Sequence, residues 1–150
     1  MSFTITFFKI VTILLSIVGA SFAIPLAVAF AYGESSVYLV FIIPMIVSFI
    51  LGLAVNLPTR KMKFSMNTRQ TYLIVALSWV VSSLMGTVPL YFSGCFNSFA
   101  DALFESISGI TTTGSTVLSE VESLPRSINM WRCLTHWIGG MGIVTLTVAL

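Results

Sequence analysis

The chain has 150 residues, of which 57% are hydrophobic and only 8% are charged, and its net charge is +2. A soluble domain usually has about 25% charged residues, so seven basic and five acidic side chains are too few to cover a water-soluble surface. The small net charge and the lack of a basic stripe exclude nucleic acid as a partner, and two cysteines exclude a disulfide scaffold. We therefore expect the lipid bilayer to surround most of the chain.

Two apolar runs, each long enough to span a membrane, occupy the first 55 residues. The first covers about residues 5–32 and includes Pro25, where we expect a kink. The second covers about residues 37–55 and has Pro44 inside it, which membrane helices tolerate. Residues 1–55 are therefore predicted to form a pair of transmembrane helices.

The start of the chain also has some features of a secretory signal peptide. Lys9 precedes an apolar run, and residues 21–23 (SFA) loosely resemble a cleavage site. The apolar run continues past this point to Phe30, which favours a membrane span over a cleaved signal.

The segment 56–71 is the only strongly polar part of the chain, and we interpret it as a cytoplasmic loop. It contains no acidic residue and four of the seven basic ones: Arg60, Lys61, Lys63 and Arg69. The positive-inside rule places such a loop in the cytoplasm. Counting spans from this loop puts the N-terminus in the cytoplasm and the turn at 33–36 outside.

Residues 72–150 are predicted to form a helix, a short re-entrant segment and a second helix. Apolar runs cover about 72–92 and 134–150. Between them, Asn97 or Ser98 is suited to cap a short helix from Phe99 to about Gly109. Such a helix is about 16 Å long and reaches only about halfway into a hydrocarbon core of about 30 Å.

The residues that follow, TTTGST at 111–116, are poor helix formers with a glycine among them. Non-helical backbone at membrane depth is tolerated only where it is buried in protein or lines an aqueous cavity. Rings of backbone carbonyls can replace the hydration shell of a cation, and Gly114 allows the unusual backbone angles that aligned carbonyls need. The negative end of the short helix also favours a cation nearby.

These residues resemble a known family. The segment 104–116, FESISGITTTGST, looks like the first pore loop of the Trk/Ktr/HKT superfamily of potassium transporters. Leu124-Pro125, Trp131-Arg132 and the segment 137–142 (WIGGMG) resemble the helix after that loop in bacterial Trk-type subunits, and the first two helices resemble the extra N-terminal pair of the Trk branch. The resemblance covers essentially the whole chain.

The resemblance implies an all-α integral membrane fold: an N-terminal helix pair followed by one potassium-channel-like repeat, in which two helices, M1 and M2, flank a pore loop, P. The family has four such M1–P–M2 repeats around a potassium pathway. The pore helix would cover about 98–110 and the filter 111–116. Potassium would bind backbone carbonyls of the filter, whose five channel-equivalent positions are Thr112, Thr113, Gly114, Ser115 and Thr116.

The resemblance also implies potassium uptake across the bacterial inner membrane, with no cofactor and with potassium as the transported ion. The complete protein would be a homodimer whose cytoplasmic face binds a ring of nucleotide-binding regulatory subunits. The chain ends at Leu150 inside an apolar run, so we expect a fragment of a longer transporter. The alternatives are a non-conducting membrane module or remnant and a homotetrameric channel of single repeats.

Two acidic residues of the short helix are candidates for supporting a cation site. Asp101 and Glu105 are four residues apart and so share a helix face. Asp101 is expected to complement the positive end of the helix dipole. For Glu105 two interpretations stay open: a hydrogen bond behind the filter, or a solvated or paired side chain.

Other polar and small residues have mainly structural interpretations. Arg132 is expected to anchor its helix at the membrane interface, or else to pair with Glu120 or Glu122. The glycines of the last helix, Gly139, Gly140 and Gly142, are expected to permit close helix packing, and His136 to be packed or interfacial. Cys95 and Cys133 lie toward the same side, so a disulfide is conceivable although not favoured. With no nucleophile elbow, metal-spaced ligands or phosphate-binding loop, the sequence predicts no enzyme.

Overall fold

The computed structural model describes residues 3–59 and 68–149, and this part of the chain consists of helices and loops without a β-strand. Six α-helices follow one another, with a short 3-10 helix at Ser35–Val37 between the second and third. The α-helices are α1 (Phe3–Ser21), α2 (Ala23–Tyr32), α3 (Tyr38–Thr59), α4 (Thr68–Phe92), α5 (Phe99–Ile110) and α6 (Arg126–Ala149).

Among the described residues, three stretches are long and apolar enough to cross a membrane: Phe7–Tyr32, Ser35–Thr59 and Arg69–Phe92. Many of their large apolar side chains, such as Leu39, Ile50 and Leu53, are exposed on the surface of the chain, as expected where lipid replaces water as the solvent. The all-α membrane class expected from the sequence is therefore confirmed.

The first span is interrupted at a single residue, Phe22, close to the proline where a kink is expected. Helix α1 ends at Ser21 and α2 begins at Ala23, so the break lies just before Pro25. Proline has no backbone N–H, and its ring clashes with the carbonyl of the residue four positions earlier, which here is Ser21. The break therefore falls one turn before the proline, and the buried ring of Phe22 lies at the junction.

The helices of the second and third spans extend into the segment 56–71 that the sequence predicts as a polar loop. Helix α3 continues to Thr59 with Pro44 and Pro58 inside it, and α4 begins at Thr68. Most of the predicted basic loop, including Arg60, Lys61 and Lys63, lies outside the described residues. Polar residues at 56–59 and 68–71 were assigned to this loop by composition, but helices project past the apolar core of a bilayer and can end in polar turns.

Helices α1 and α3 pack closely through small residues. A Cβ atom on Gly19 would lie 1.8 Å from the Ser48 hydroxyl oxygen, and one on Gly52 would lie 2.1 Å from that of Ser16. Each helix therefore presents a glycine to a serine of the other. Such contacts let backbones approach in a membrane, where no hydrophobic effect drives helices together.

Helix α6 begins at Arg126, well before the predicted start at Leu134. Its first turns carry polar residues, and a polar composition predicts a loop. Their apolar side chains are nevertheless deeply buried: Ile128 and Trp131 are both 0% exposed. The Trp131 indole N–H donates to the Gly86 carbonyl in α4 at 3.0 Å, and its ring lies 4.5 Å from that of Phe22. The start of α6 thus packs against protein on the side where the main core lies.

Candidate ion-binding site

The short helix α5 lies between α4 and α6. Ser98 is its N-cap, because the Ser98 hydroxyl accepts from the Asp101 N–H at 3.1 Å. Asp101 lies in the first turn, where a carboxylate interacts favourably with the positive end of the helix dipole. At 12 residues the helix is about 18 Å long.

Three close contacts between small groups hold α5 against its neighbours. The Ser106 hydroxyl donates to the Ser83 carbonyl of α4 at 2.7 Å and faces Gly86. On the other side, Gly109 faces Thr135 of α6, and a Cβ atom on Gly139 would lie 2.0 Å from the Ile110 carbonyl oxygen. Backbones therefore meet at the C-terminal end of α5, where larger side chains would not fit.

The three glycines of α6 differ in how closely a neighbouring atom approaches them. Gly139 serves the close packing expected from the sequence. A Cβ atom on Gly140 would meet only the Thr112 methyl group at 3.9 Å, which is ordinary contact, and one on Gly142 would meet nothing within 4 Å. Of these three glycines, only Gly139 is required by a contact within the described part of the chain.

Helix α5 ends in a Schellman motif with an unusual residue at its key position. The Thr113 N–H donates to the Ser108 carbonyl at 2.9 Å and the Thr112 N–H to the Gly109 carbonyl at 2.9 Å, the paired bonds that define this motif. Its left-handed residue is normally glycine, yet here it is Thr112 with φ of 57°. A β-branched residue in this conformation is strained, and such strain is often found at functional sites.

The segment 111–117 follows as exposed, irregular backbone. Gly114 has φ of 77°, a conformation that suits glycine. The Thr111 and Thr113 hydroxyls lie 2.8 Å apart. Two left-handed residues therefore fall within three positions of the segment for which the sequence predicts a carbonyl-lined filter.

The buried carboxylate of Glu105 holds the C-terminal end of this segment, at Thr116 and Val117, from the protein interior. Glu105 is 3% exposed, and one of its oxygens accepts from the Thr116 hydroxyl at 2.9 Å and the Val117 N–H at 3.3 Å. Its other oxygen accepts from the Arg132 Nε–H at 2.7 Å, and a second guanidinium nitrogen lies 2.5 Å away. Glu105 thus hydrogen-bonds to the 111–117 segment and is at the same time paired with Arg132, so both interpretations left open by the sequence agree with these contacts.

Within the described part of the chain, the ion-pair partner of Arg132 is Glu105 and not Glu120 or Glu122. Arg132 forms this ion pair across α5 and α6, and its third nitrogen donates to the Asn129 side chain at 3.1 Å. The two acids proposed as partners are exposed in the loop before α6. A buried carboxylate needs a charged or hydrogen-bonding partner far more than an exposed one, and that need outweighs proximity in sequence.

Within the described part of the chain, the remaining candidates make no hydrogen bond to the 111–117 segment. Asp101 is near the start of α5, opposite to the end from which the segment emerges. The His136 Nδ1 lies 2.9 Å from the Arg132 carbonyl oxygen of its own helix, which fits a packed histidine. Cys95 and Cys133 are both free thiols.

A second carboxylate connects the N-terminal helices to the start of α6. Glu34, in the turn after α2, accepts from the Arg126 N–H at 2.7 Å and the Ser127 N–H at 3.1 Å, and it also accepts from the Ser127 hydroxyl. Arg126 in turn stacks over the Tyr32 ring at 4.2 Å. Glu34 thus caps the N-terminus of α6 from a distant part of the chain.

The pKa of Glu34 reflects this capping role. Burial of the carboxyl acts to raise its pKa, but the hydrogen bonds from Ser127 and Arg126 and the positive charge of Arg126 stabilise the ionised form. Together they hold the pKa of Glu34 below its ordinary value.

Sequence reasoning missed the roles of Arg132, Glu34 and Ser108. The Ser108 hydroxyl is buried and donates to the Ser115 carbonyl at 2.6 Å. Helical spacing carried a signal for this residue, because Glu105 and Ser108 are three residues apart and so share a helix face. No comparable local signal exists for Glu34, whose partners are about ninety residues further along the chain and can be brought to it only by the tertiary fold.

Comparison with protein families gives a match over most of the chain. The sequence profile described as "TrkH: Cation transport protein" matches residues 37–150. This range contains α3 to α6 and the whole 111–117 segment. The matched range therefore includes every residue of the candidate site except Glu34.

Several curated proteins are similar to the chain. It is 39% identical to the Trk system potassium uptake protein TrkG of Escherichia coli over 83% of this chain and 26% of the relative. It is 38% identical to the Trk system potassium uptake protein TrkH of Escherichia coli, over 95% and 29%. An uncharacterized cation transporter of Methanocaldococcus jannaschii is 37% identical, over 89% and 28%. The chain thus spans less than a third of the length of these relatives, which their names describe as transporters.

Proposed function

Since the chain belongs to the TrkH cation transport protein family, we propose that it contributes to potassium uptake through a channel-like pore, as the N-terminal part of a transporter subunit. The observation that carries this proposal is the exposed 111–117 segment, which leaves α5 through the left-handed Thr112 and is held from behind by the buried Glu105. Two of the similar proteins are named potassium uptake proteins, which supports potassium as the cargo.

In this proposal the backbone carbonyls of Thr112 to Ser115 bind the dehydrated ion, and Thr116 closes the filter at its outer end. Carbonyl dipoles can replace a hydration shell without any change of covalent bonds, so the protein is a transporter rather than an enzyme and needs no cofactor. Gly114 supplies the left-handed backbone that the geometry requires. The charge of Glu105 is balanced by Arg132, so its part is to hold the segment, while Asp101 complements the helix dipole.

The resemblance to the family supports a proposed setting for the pore. The membrane is the bacterial inner membrane, with the N-terminus and the basic loop in the cytoplasm and the turn at 33–36 outside, as the positive-inside rule indicates. The complete subunit forms a homodimer that binds a cytoplasmic ring of nucleotide-binding regulatory subunits.

The test is potassium flux into liposomes that contain the full-length gene product, compared with two glycine variants. We expect Gly114→Ala to abolish flux, because alanine disfavours the left-handed angles of the filter. Gly94→Ala is the matched control: Gly94 also has a positive φ of 72°, a Cβ atom there would meet nothing within 4 Å, and it lies in the loop before α5. Both variants thus introduce the same kind of backbone strain, at different places.

Three outcomes separate the hypotheses. Flux that is lost with Gly114→Ala and kept with Gly94→Ala supports the filter. Equal loss in both variants would mean that backbone strain disrupts the fold in general, which would contradict a specific role for Gly114. No flux from the unmodified gene product would favour a non-conducting membrane module.

A further inference from the structure

We propose that Ser108 is a positioning residue that competes with the ion for the Ser115 carbonyl and so sets the apparent affinity of the filter for potassium. This inference rests on the proposed function, because it assigns a role within the same 111–117 segment. It adds a residue to which neither the sequence motif nor the family match gives a role.

Ser108 contacts the segment on both sides of Gly114. Its backbone carbonyl accepts from the Thr113 N–H at 2.9 Å, and its hydroxyl donates to the Ser115 carbonyl at 2.6 Å. Ser108 is 4% exposed, whereas Thr113, Gly114 and Ser115 are all exposed. A single buried residue of α5 therefore bonds to the residues immediately before and after Gly114.

The hydroxyl bond affects how the Ser115 carbonyl can act. Because this carbonyl accepts from Ser108, it points toward α5 and not away from it. A carbonyl that is to bind an ion on the exposed side has to turn away, which breaks the bond to the serine. The other expected ion-binding carbonyls, those of Thr112, Thr113 and Gly114, accept no hydrogen bond within the described part of the chain.

The turning of the Ser115 carbonyl from Ser108 to the ion costs little free energy, so it is reversible. A neutral hydrogen bond contributes only modestly to stability, because breaking it can be compensated by other partners. The two arrangements are therefore close in energy, and the hydroxyl of Ser108 shifts the balance toward the one with fewer ion ligands.

The prediction is a change in affinity rather than a loss of function. Removing the hydroxyl with Ser108→Ala frees the Ser115 carbonyl, so the potassium concentration for half-maximal flux should fall by about fivefold, as expected for one modest hydrogen bond. The maximal flux should stay the same or decrease, because a more tightly bound ion leaves more slowly. Flux is measured as a function of potassium concentration with the full-length gene product in liposomes.

Ser106→Ala is the matched control, because it removes the same hydroxyl from the same helix. The Ser106 hydroxyl is also buried and donates to a backbone carbonyl, but that carbonyl belongs to Ser83 in α4. We expect Ser106→Ala to leave the half-saturating concentration unchanged. Ser108→Cys serves as a second variant of similar size whose thiol is a weaker donor, and it should give an intermediate value.

The proposal is supported if the half-saturating potassium concentration decreases from the unmodified protein to Ser108→Cys and further to Ser108→Ala, while Ser106→Ala keeps the value of the unmodified protein. An unchanged concentration in both Ser108 variants, while Gly114→Ala still abolishes flux, overturns the role of Ser108 and leaves the proposed function intact. Equal changes in the Ser106 and Ser108 variants overturn it as well, since they would reflect loosening of α5. Absence of potassium flux from the unmodified protein overturns both proposals.

Discussion

The hairpin of α1 and α3 and the unit formed by α5 with its 111–117 segment use serine in opposite ways. In the hairpin, the hydroxyls of Ser16 and Ser48 donate mainly to carbonyls of their own helices, at 2.8 and 2.7 Å, and Ser16 makes a longer bond to the Ser48 carbonyl at 3.3 Å. In the α5 unit, the hydroxyls of Ser106 and Ser108 donate to carbonyls of other elements. The first arrangement satisfies a polar group locally, and the second fixes the position of a neighbouring backbone.

This difference shows what each region requires from its residues. The hairpin is held largely by shape, since glycine and serine let the helices approach, and within the described residues only a few polar bonds join the two helices, such as that from Lys9 to the Thr59 carbonyl at 3.0 Å. It faces lipid with many exposed apolar side chains. The α5 unit contains irregular backbone that has no regular hydrogen-bond partners of its own, so buried polar groups must hold it. Substitutions that remove polar groups should therefore be costly in the second region and mild in the first.

The largest effect is expected for Arg132→Ala. It leaves the carboxylate of Glu105 buried without its charged partner, a change that typically costs about 3–5 kcal/mol. We expect a strongly lowered unfolding midpoint in detergent micelles, together with lost potassium flux. The measurement is thermal or denaturant unfolding of the purified protein.

The double variant with Arg132→Ala and Glu105→Gln is the control for this prediction. It removes the buried charge as well as its partner, so part of the stability should return. If the double variant were no more stable than Arg132→Ala alone, the cost would come from lost packing and not from an unpaired carboxylate.

A smaller effect is expected for Glu34→Gln, which tests the link between the N-terminal helices and α6. The substitution weakens the cap on α6, and loss of a helix cap costs about 1 kcal/mol. Glu120→Gln removes the same charge from an exposed position in the loop before α6 and should leave the unfolding free energy nearly unchanged. Equal effects of the two substitutions would refute the capping role.

The same variant predicts a difference in acid stability. The folded pKa of Glu34 is lowered, so its contribution is fully present above the unfolded value of about 4.3 and is lost as the pH falls through the lower folded value. The difference in stability between the unmodified protein and Glu34→Gln should therefore shrink below about pH 4.

The smallest effect is expected for Ser16→Ala in the hairpin. Its hydroxyl bonds mainly to Thr12 of the same helix and lies 3.3 Å from the Ser48 carbonyl, and membrane hydrogen bonds of this kind contribute on average about 0.6 kcal/mol. We expect a barely shifted unfolding midpoint. A loss of more than about 1.5 kcal/mol, well above that average, would show that the hairpin also depends on directed polar bonds, which would remove the contrast between the two regions.

The local features of the fold could be predicted from the sequence. Apolar length identified the membrane helices, and the cap at Ser98 with Asp101 in the first turn identified α5. These signals depend on residues close together in the chain. The start of α6 was predicted too late for the same reason: a polar composition looks like a loop unless the neighbouring helices that bury Ile128 and Trp131 are known.

The contacts of the candidate site required the tertiary structure. The pairing of Arg132 with Glu105 spans 27 positions, and the cap from Glu34 to Arg126 spans 92. The left-handed angle of Thr112 also could not be expected, because propensity argues against a β-branched residue there. The paired bonds at the end of α5, from Thr112 and Thr113 to the Gly109 and Ser108 carbonyls, accompany that conformation.

Thr112 has a consequence for engineering this protein. Glycine at its left-handed position would relieve the strain, and such replacements commonly stabilise a helix end. A screen that rewards only thermal stability should therefore enrich Thr112→Gly, and with it lose the side chain at the inner end of the segment. Stabilised forms of this chain obtained by random selection would then differ from the natural one at the very residue where the backbone leaves α5.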